Sequence, residues 1–331
     1  MNSARKKLGA IRNVATASAT PWPPEADAGA RSFSVARALE SVCAACGTFE
    51  WVTLLYLAIV NTLIAAFRAN LPSAPVYIAI HECIAGAILV LSWAGARSTD
   101  PLLQFARHWY PLPLYIYFFE ELRGLVHLIY PGWFDEHLIR FDFSIAAVHP
   151  SVWLTQFANP ALNDFMQFSY MTYFLYLVAL PALLYRRREV RRFWTVMTST
   201  AIAHYSVYVV SILFPIESPH FALAALQPNL AGGPSTVLIN WIESFGRVRG
   251  AAFPSAHVAG SMVAILASWR YRRWLFWLCL PFFVSMMIAT VYGGYHYVAD
   301  VLAGMLTGAW GFAAGTWALN RPNALPRVPS L

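Results

Sequence analysis

Charge is scarce in this chain. Only 12% of its 331 residues are Asp, Glu, Lys or Arg, where a soluble globular chain carries about 25%. So little charge excludes a solvated disordered chain and an ordinary water-soluble enzyme. Cysteine is scarce too: Cys43, Cys46, Cys83 and Cys279 are the only four, which excludes a disulfide-stapled mini-domain. Cys43 and Cys46 form one CxxC with no second pair, which leaves open a metal or redox site and, more simply, idle thiols. No apolar core follows Arg5, Lys6 and Lys7, so a cleavable signal peptide is not expected. Nor are there two related halves of the kind transporters show.

Apolar residues are what the chain has in excess. They make up 58% of it, and the mean hydropathy is +0.51. This predicts an all-α, polytopic membrane helical bundle. A span needs about 20 residues, and stretches of that kind fall near 49–68, 75–96, 109–130, 165–185, 193–214, 254–269, 274–292 and 296–318, eight in all. Glu120, Glu121 and Arg123 interrupt the third, and the short sixth is expected to extend into the loop before it. Residues 1–48, rich in Ala, Ser, Pro and Arg, are expected to form a disordered cytoplasmic arm whose last part is a short helix. The membrane-embedded domain then covers 49–318, and 319–331 is a cytoplasmic tail.

The net charge is +7, but the basic residues are not interleaved with aromatics in a stripe, so nucleic acid is not an expected partner. They sit in short gaps between spans, where an excess of Lys and Arg marks the cytoplasmic side. With the N-terminus inside, the inner segments 1–48, 97–108, 186–192, 270–273 and 319–331 hold 18 of the 23 Lys and Arg. Both ends are therefore expected in the cytoplasm. The longer loops 131–164 and 215–253 then face outward. They are too apolar for disorder and are expected to fold over the outer membrane face.

Two constellations carry chemistry. The first is Phe253-Pro254-Ser255-Ala256-His257, before the sixth span. Proline suits the first positions of a helix and serine caps one. A helix starting there points free N–H groups outward, a ready anion site, with His257 in its first turn. The plainer account is a Pro-Ser helix start with an interfacial histidine. The second is Tyr292-Gly293-Gly294-Tyr295-His296-Tyr297-Val298-Ala299-Asp300. His296 and Asp300 are neighbours on a helix, so the carboxylate can fix the ring tautomer, as for a nucleophile oriented by a third group. A structural His–Asp bond is the plainer account. From His257 the chain runs inward, turns at Arg270–Arg273 and returns at His296, so both histidines reach one membrane face. Two imidazoles, a carboxylate and an anion-binding helix end suit phosphoryl transfer, one ring attacking phosphorus and the other protonating the leaving oxygen.

Other polar residues have plainer accounts beside functional ones. Arg123 lies on one face with Glu120 and His127, either as a packing pair or as a headgroup ligand. His81 and Glu82 suit a packing hydrogen bond. His149 and Asp142 lie in the outer loop, where they are either solvated or in contact with substrate. Gly304, Gly308, Gly311 and Gly315 form two GxxxG patterns of the close-packing kind.

Pro254-Ser255-Ala256-His257 and His296-x-x-x-Asp300 resemble the second and third motifs of the type 2 phosphatidic acid phosphatase superfamily, over a core from about 165 to 318. The membrane character disfavours that superfamily's vanadium haloperoxidases. Leu122-Arg123-Gly124, the stretch from Asp142 to Pro150-Ser151-Val152-Trp153-Leu154, Phe214-Pro215-Ile216-Glu217-Ser218-Pro219 and Thr290 resemble its inositol phosphorylceramide synthase branch, the aureobasidin-resistance type.

The resemblance implies a six-helix phosphatase-type core and a metal-independent enzyme without a cofactor. His296 would be the nucleophile, forming a phosphohistidine; Asp300 would orient it; His257 would be the acid. Ser255 with nearby backbone N–H groups would hold phosphate oxygens. The lysine and Arg-Pro of the first motif are absent, the third motif's arginine is missing, and Ala256 replaces the usual glycine. His220 follows Pro219 where the branch carries a larger or basic residue. Arg123, Arg247, Arg249 and His220 are therefore the candidates to neutralise the phosphate. The implied substrate is a phospholipid, sphingolipid or polyprenyl phosphate, met at the outer (periplasmic or lumenal) face. Transfer to an acceptor alcohol, simple hydrolysis of a lipid phosphate or polyprenyl diphosphate, and a non-catalytic transporter or scaffold with the same fold are the three readings.

Overall fold

The computed structural model describes residues 40–226, 231–322 and 324–326. The expected N-terminal arm lies outside the described residues as far as residue 39, and the expected tail does so from residue 327. Residues 40–43 are helical, and one compact unit begins at Val42. Its first helices are α1 (Thr48–Ala66), α2 (Ala74–Gly95), α3 (Pro101–Trp109), α4 (Pro111–Leu125), α5 (Asp135–Ala146) and α6 (Pro150–Leu154). There follow α7 (Pro160–Arg186), α8 (Val190–Leu213), α9 (Pro219–Ala222), α10 (Pro234–Gly246), α11 (Ala256–Tyr271), α12 (Arg273–Tyr292) and α13 (Val298–Leu319). No strand occurs among the described residues; Ile216 and Ala251 form an isolated parallel bridge. The protein is an all-helical, multi-pass membrane bundle.

A helix stands at each of the eight expected spans. Six of them (α1, α2, α7, α8, α12 and α13) are long and apolar enough to cross a membrane. The other two fall short of the length a span needs, α4 with 15 residues and α11 with 16. At 1.5 Å per residue they reach about 22–24 Å, against roughly 30 Å of hydrocarbon. The start of α11 explains its length. Ser255 is the cap, accepting from Val258 N at 3.3 Å, so Pro254 lies before the helix and the sixth span does not extend upstream. The irregular chain before it is tied down instead. Ala252 N donates to Ile216 O at 3.2 Å, Ile216 N to Gly250 O at 3.3 Å and Ser255 N to Asp300 O at 3.1 Å. Non-helical backbone is tolerated at membrane depth where it is buried in protein or lines a cavity.

Helix α13 packs on α8 and α11, α12 on α7, and α1 and α4 on α8. The GxxxG glycines make these approaches possible. A Cβ at Gly304 would lie 2.7 Å from O of Ser255, the cap of α11, and one at Gly308 would lie 2.4 Å from O of Ala259 within it. On the α8 side, a Cβ at Gly311 would meet Ala203 Cβ at 2.8 Å, and one at Gly315 would meet Ser199 Cα at 2.8 Å. His81 pairs not with Glu82 but with Glu121 of α4 at 2.8 Å and Asn61 of α1 at 2.6 Å, tying three helices together. The four cysteines are free thiols.

Chain direction gives the bundle two ends. At one, Glu189 is ion-paired with Arg192 and Arg272, and Thr48 Oγ1 donates to Ala324 O at 2.9 Å. At the other, both long loops form helices, as their apolar composition requires: α5 and α6 in the first, α9 and α10 in the second.

Candidate active site

The two histidines meet at the loop-covered end. Their rings are 5.8 Å apart, centroid to centroid, and edge-on at 60°. His257 is in the first turn of α11, placed there by the Ser255 cap. His296 sits on the turn between α12 and α13. Thr290 shapes that turn, its carbonyl accepting from Tyr295 N at 2.9 Å and His296 N at 3.0 Å. Gly294 has φ +68°, a left-handed conformation that glycine adopts without strain.

His296 is held by its Nδ1. That atom lies 2.9 Å from Ala252 O and 3.3 Å from Asp300 Oδ2. A carbonyl oxygen can only accept, so Nδ1 carries the proton and the lone pair is on Nε2. Asp300 is fully buried and its Oδ2 also accepts from Tyr297 N at 2.7 Å. The sequence pattern of His296 and Asp300 is therefore an oriented pair in space.

Two aspartates of α5 brace this turn. Asp142, buried, accepts from Val298 N at 2.9 Å and Ala299 N at 3.1 Å. It occupies the anion site at the start of α13, a bracing role and not the substrate contact or solvated position considered from sequence. Burial pushes its carboxyl up, against the pull of those two N–H groups. Asp135 accepts from Glu217 N at 2.8 Å, Ser218 N at 3.2 Å and Tyr297 Oη at 2.8 Å. It too is pushed up by burial, with Tyr297 opposing. His149 packs on Phe143, with ring centroids 5.5 Å apart.

A cavity of about 380 Å³ opens beside the histidines. Ala256, His257, Tyr295 and His296 form its head. The first N–H groups of a helix have no partner within it, so the Ala256 and His257 N–H groups are the available anion donors there. Below them the wall is apolar, with Ile116 and Phe119 of α4 and Phe174 and Val178 of α7. Ile116, Phe174 and Val178 are also exposed on the outside of the bundle. In a bilayer that exposure faces acyl chains.

Of the five residues expected to hold phosphate, Arg247 lines the cavity. Its guanidinium pairs with Glu243 at 2.6 Å. Burial pushes the Glu243 carboxyl up and Arg247 opposes this. Arg123 pairs with Glu120 at 2.9 Å, and Arg249 pairs with Glu217; in both cases it is the glutamate that lines the cavity. His127, expected on the same face as Arg123, lies beyond the end of α4, where its Nδ1 meets Tyr130 O at 3.0 Å. Ser255 is completely buried as the helix cap. His220 lies off the cavity wall, with its backbone N bonded to Gly294 O at 2.8 Å. Burial, then the Arg247 charge, lowers its imidazole.

Sequence reasoning missed an aromatic layer over His257. Tyr170 Oη is 2.9 Å from His257 Nε2, and its ring stacks on Tyr295 at 4.4 Å. Tyr173 packs on His257 at 4.5 Å and its hydroxyl meets His204 Nε2 at 3.3 Å. The only available signal was a tyrosine pair three apart in an apolar span.

A family model described as PAP2 superfamily matches residues 136–314, more than half of the chain. The match begins in α5, earlier than the core expected from about 165, and it contains His257, His296 and Asp300. No curated protein and no solved structure matches the chain.

Proposed function

This chain belongs to the PAP2 superfamily, whose members are generally phosphoryl-transfer enzymes, and from that premise we propose that it transfers the phosphoryl group of a lipid-linked phosphate through a phosphohistidine at His296. One observation carries the reading. A histidine with a forced Nδ1–H tautomer faces a second histidine across the head of an apolar cavity that reaches the lipid-facing side of the bundle.

The chemistry follows from the geometry. The phosphate docks against the Ala256 and His257 N–H groups and Arg247, with the lipid chain along α4 and α7. His296 Nε2 attacks phosphorus in line, and the leaving lipid oxygen takes a proton supplied from His257. Asp300 holds the imidazole and balances the positive charge that forms on it. An acceptor then attacks the phosphohistidine while His257 takes up its proton. Helix-end N–H groups and Arg247 supply the positive field, so no metal is required.

The acceptor reading is an alcohol, making the enzyme a lipid phosphotransferase like those of the inositol phosphorylceramide synthase branch. Leu122-Arg123-Gly124, Phe214–Pro219 and Thr290 support it. The site lies on the outer face, with the N-terminal arm and C-terminal tail in the cytoplasm and residues 49–318 forming the catalytic domain; the Lys and Arg distribution supports this.

The test is incubation of the purified protein with a labelled panel of phospholipids, sphingolipids and polyprenyl phosphates, with and without candidate alcohols, read by mass spectrometry. Alcohol adducts are expected; free phosphate alone assigns a phosphatase. His296→Ala and His257→Ala should each abolish turnover while the protein still inserts and purifies. Wild-type rates in either variant, or no product from the wild type across the panel, would refute the assignment. Reversible inactivation by EDTA would overturn metal independence.

A further inference from the structure

Tyr170 is the residue in contact with the acid. Its hydroxyl is 2.9 Å from His257 Nε2, and its ring is held between Tyr295 at 4.4 Å and His257 at 4.7 Å. Tyr295 is fixed in turn, donating to Gln167 Oε1 at 2.9 Å. Tyr170 is nearly buried, yet it lines the cavity head together with both histidines. So the phenol is not a loose surface group that happens to reach a histidine. It meets the imidazole nitrogen that exchanges a proton and lines the same cavity the substrate would occupy.

We propose that Tyr170 is a proton relay, through which His257 protonates the leaving oxygen and later deprotonates the acceptor. The proposal rests on the phosphoryl-transfer reading above. In the first half-reaction the imidazolium Nε2–H donates to the Tyr170 oxygen, and the Tyr170 O–H points at the leaving oxygen. As the P–O bond breaks, the phenol proton moves to the alkoxide and the Nε2 proton moves to the phenol oxygen. His257 ends neutral, Tyr170 ends unchanged and the lipid alcohol departs. In the second half the acceptor O–H gives its proton to Tyr170 as its oxygen bonds to phosphorus. Tyr170 passes its own proton to Nε2, which restores the imidazolium while His296 leaves phosphorus. A phenol suits this role because its oxygen accepts and donates at once.

Tyr170→Phe removes the hydroxyl and keeps the ring stack. General-acid assistance matters when the leaving group is a poor one and little when it is a stable anion. The two probes are dodecyl phosphate, with an alkoxide leaving group, and 2-nitro-4-dodecylphenyl phosphate, with a stabilised phenolate. Each is presented in micelles, as the monoester and as the glycerol diester. Tyr170→Phe should lose about 100-fold in kcat/KM, which reports phosphohistidine formation and not its breakdown, on the alkyl ester, within the range of general-acid effects, and less than about threefold in kcat/KM on the nitrophenyl ester. A purely structural role would lower both alike. Equal losses on the two, or none on either, would overturn the relay and leave the phosphoryl-transfer reading standing. A wild type inert towards every probe would overturn both.

Discussion

Gly308→Ala tests how the two halves of the site are held together. A Cβ at this position would lie 2.4 Å from Ala259 O and 2.7 Å from Met262 Cβ. Comfortable contact needs about 3.5–4.0 Å. The first obstacle is a backbone carbonyl inside a helix, which cannot rotate aside without breaking its own hydrogen bond. Helix α13 must therefore move away from α11 by about 1 Å, the difference between those separations. Overpacking of this kind costs about 1–3 kcal/mol. The two helices also carry the two halves of the site, His257 two residues before Ala259 and Asp300 eight before Gly308. A 1 Å misplacement can cost about 100-fold in rate, so turnover should fall by about that factor along with the loss of stability. The measurements are phosphoryl release or transfer from the lipid panel and thermal unfolding in detergent. Gly86→Ala on α2 is the control. Nothing lies within 4 Å of its Cβ position, and the change should leave activity intact while stability holds or rises by about 0.5–1 kcal/mol. A Gly308→Ala protein with wild-type rate and melting temperature would refute the close packing of α11 on α13.

Three further outcomes follow from the same structure. Asp142→Ala should cost about 0.5–2 kcal/mol, the usual range for losing a carboxylate at a helix start, and should slow turnover by loosening the His296 turn. An unchanged melt and rate would show that α5 does not brace it. Glu189 is slightly desolvated, but hydrogen bonds and charge from Arg192 and Arg272 bring its carboxyl below the ordinary glutamate value. Its stabilisation is then present above about pH 4.3 and is lost as pH falls through the lower folded value. Wild-type and Glu189→Gln melts should accordingly differ at pH 6 and converge on acidification; a gap that persists at the acid end would contradict this. Arg247→Ala should weaken substrate binding more than Arg123→Ala or Arg249→Ala, because only Arg247 lines the cavity; equal KM changes across the three would remove that distinction.

The parts of this molecule legible in the sequence are those whose partners are close in the chain. His296 and Asp300 are four residues apart, so helical spacing alone pairs them. The two histidines meet because one inward-and-back hairpin joins them, and that follows from counting spans. What escaped notice depends on distant segments. Asp142 reaches Val298 across 156 residues and Tyr170 reaches His257 across 87, and no local pattern marks either. The expected upstream extension of α11 failed for a different reason. Its apolar run continues upstream through Ala251 and Phe253, and only the tertiary bonds to Ile216 and Asp300 take that stretch out of the helix. Hydropathy counts residues that suit lipid, and the same residues suit the inside of a protein.

The three arginine–glutamate pairs around the cavity bear on how a site of this kind binds phosphate. An unpaired guanidinium in a recessed, apolar setting would cost several kcal/mol in lost hydration, and a carboxylate partner offsets that cost while the site is empty. Arg123 and Glu120 are both well exposed, at 53% and 38%, so that pair is screened by water and worth little, while Arg249 is a 56% exposed guanidinium over a buried Glu217. Arg247 is only 24% exposed, and burial has pushed up the carboxyl of its partner Glu243. Protonation therefore opens this pair more readily than it would an ordinary surface pair. On the proposed function, the arriving phosphate takes the place of the Glu243 carboxylate on Arg247. Part of the attraction is spent on displacing that carboxylate, so the ground-state complex is held less tightly than a bare arginine would hold it. The field of Arg247 then acts on charge that builds up during transfer, where binding energy raises kcat and not merely affinity. A chain that lacks the family's phosphate-binding arginines would in this way retain a positive field at the reacting phosphorus without leaving a guanidinium uncompensated in an apolar setting.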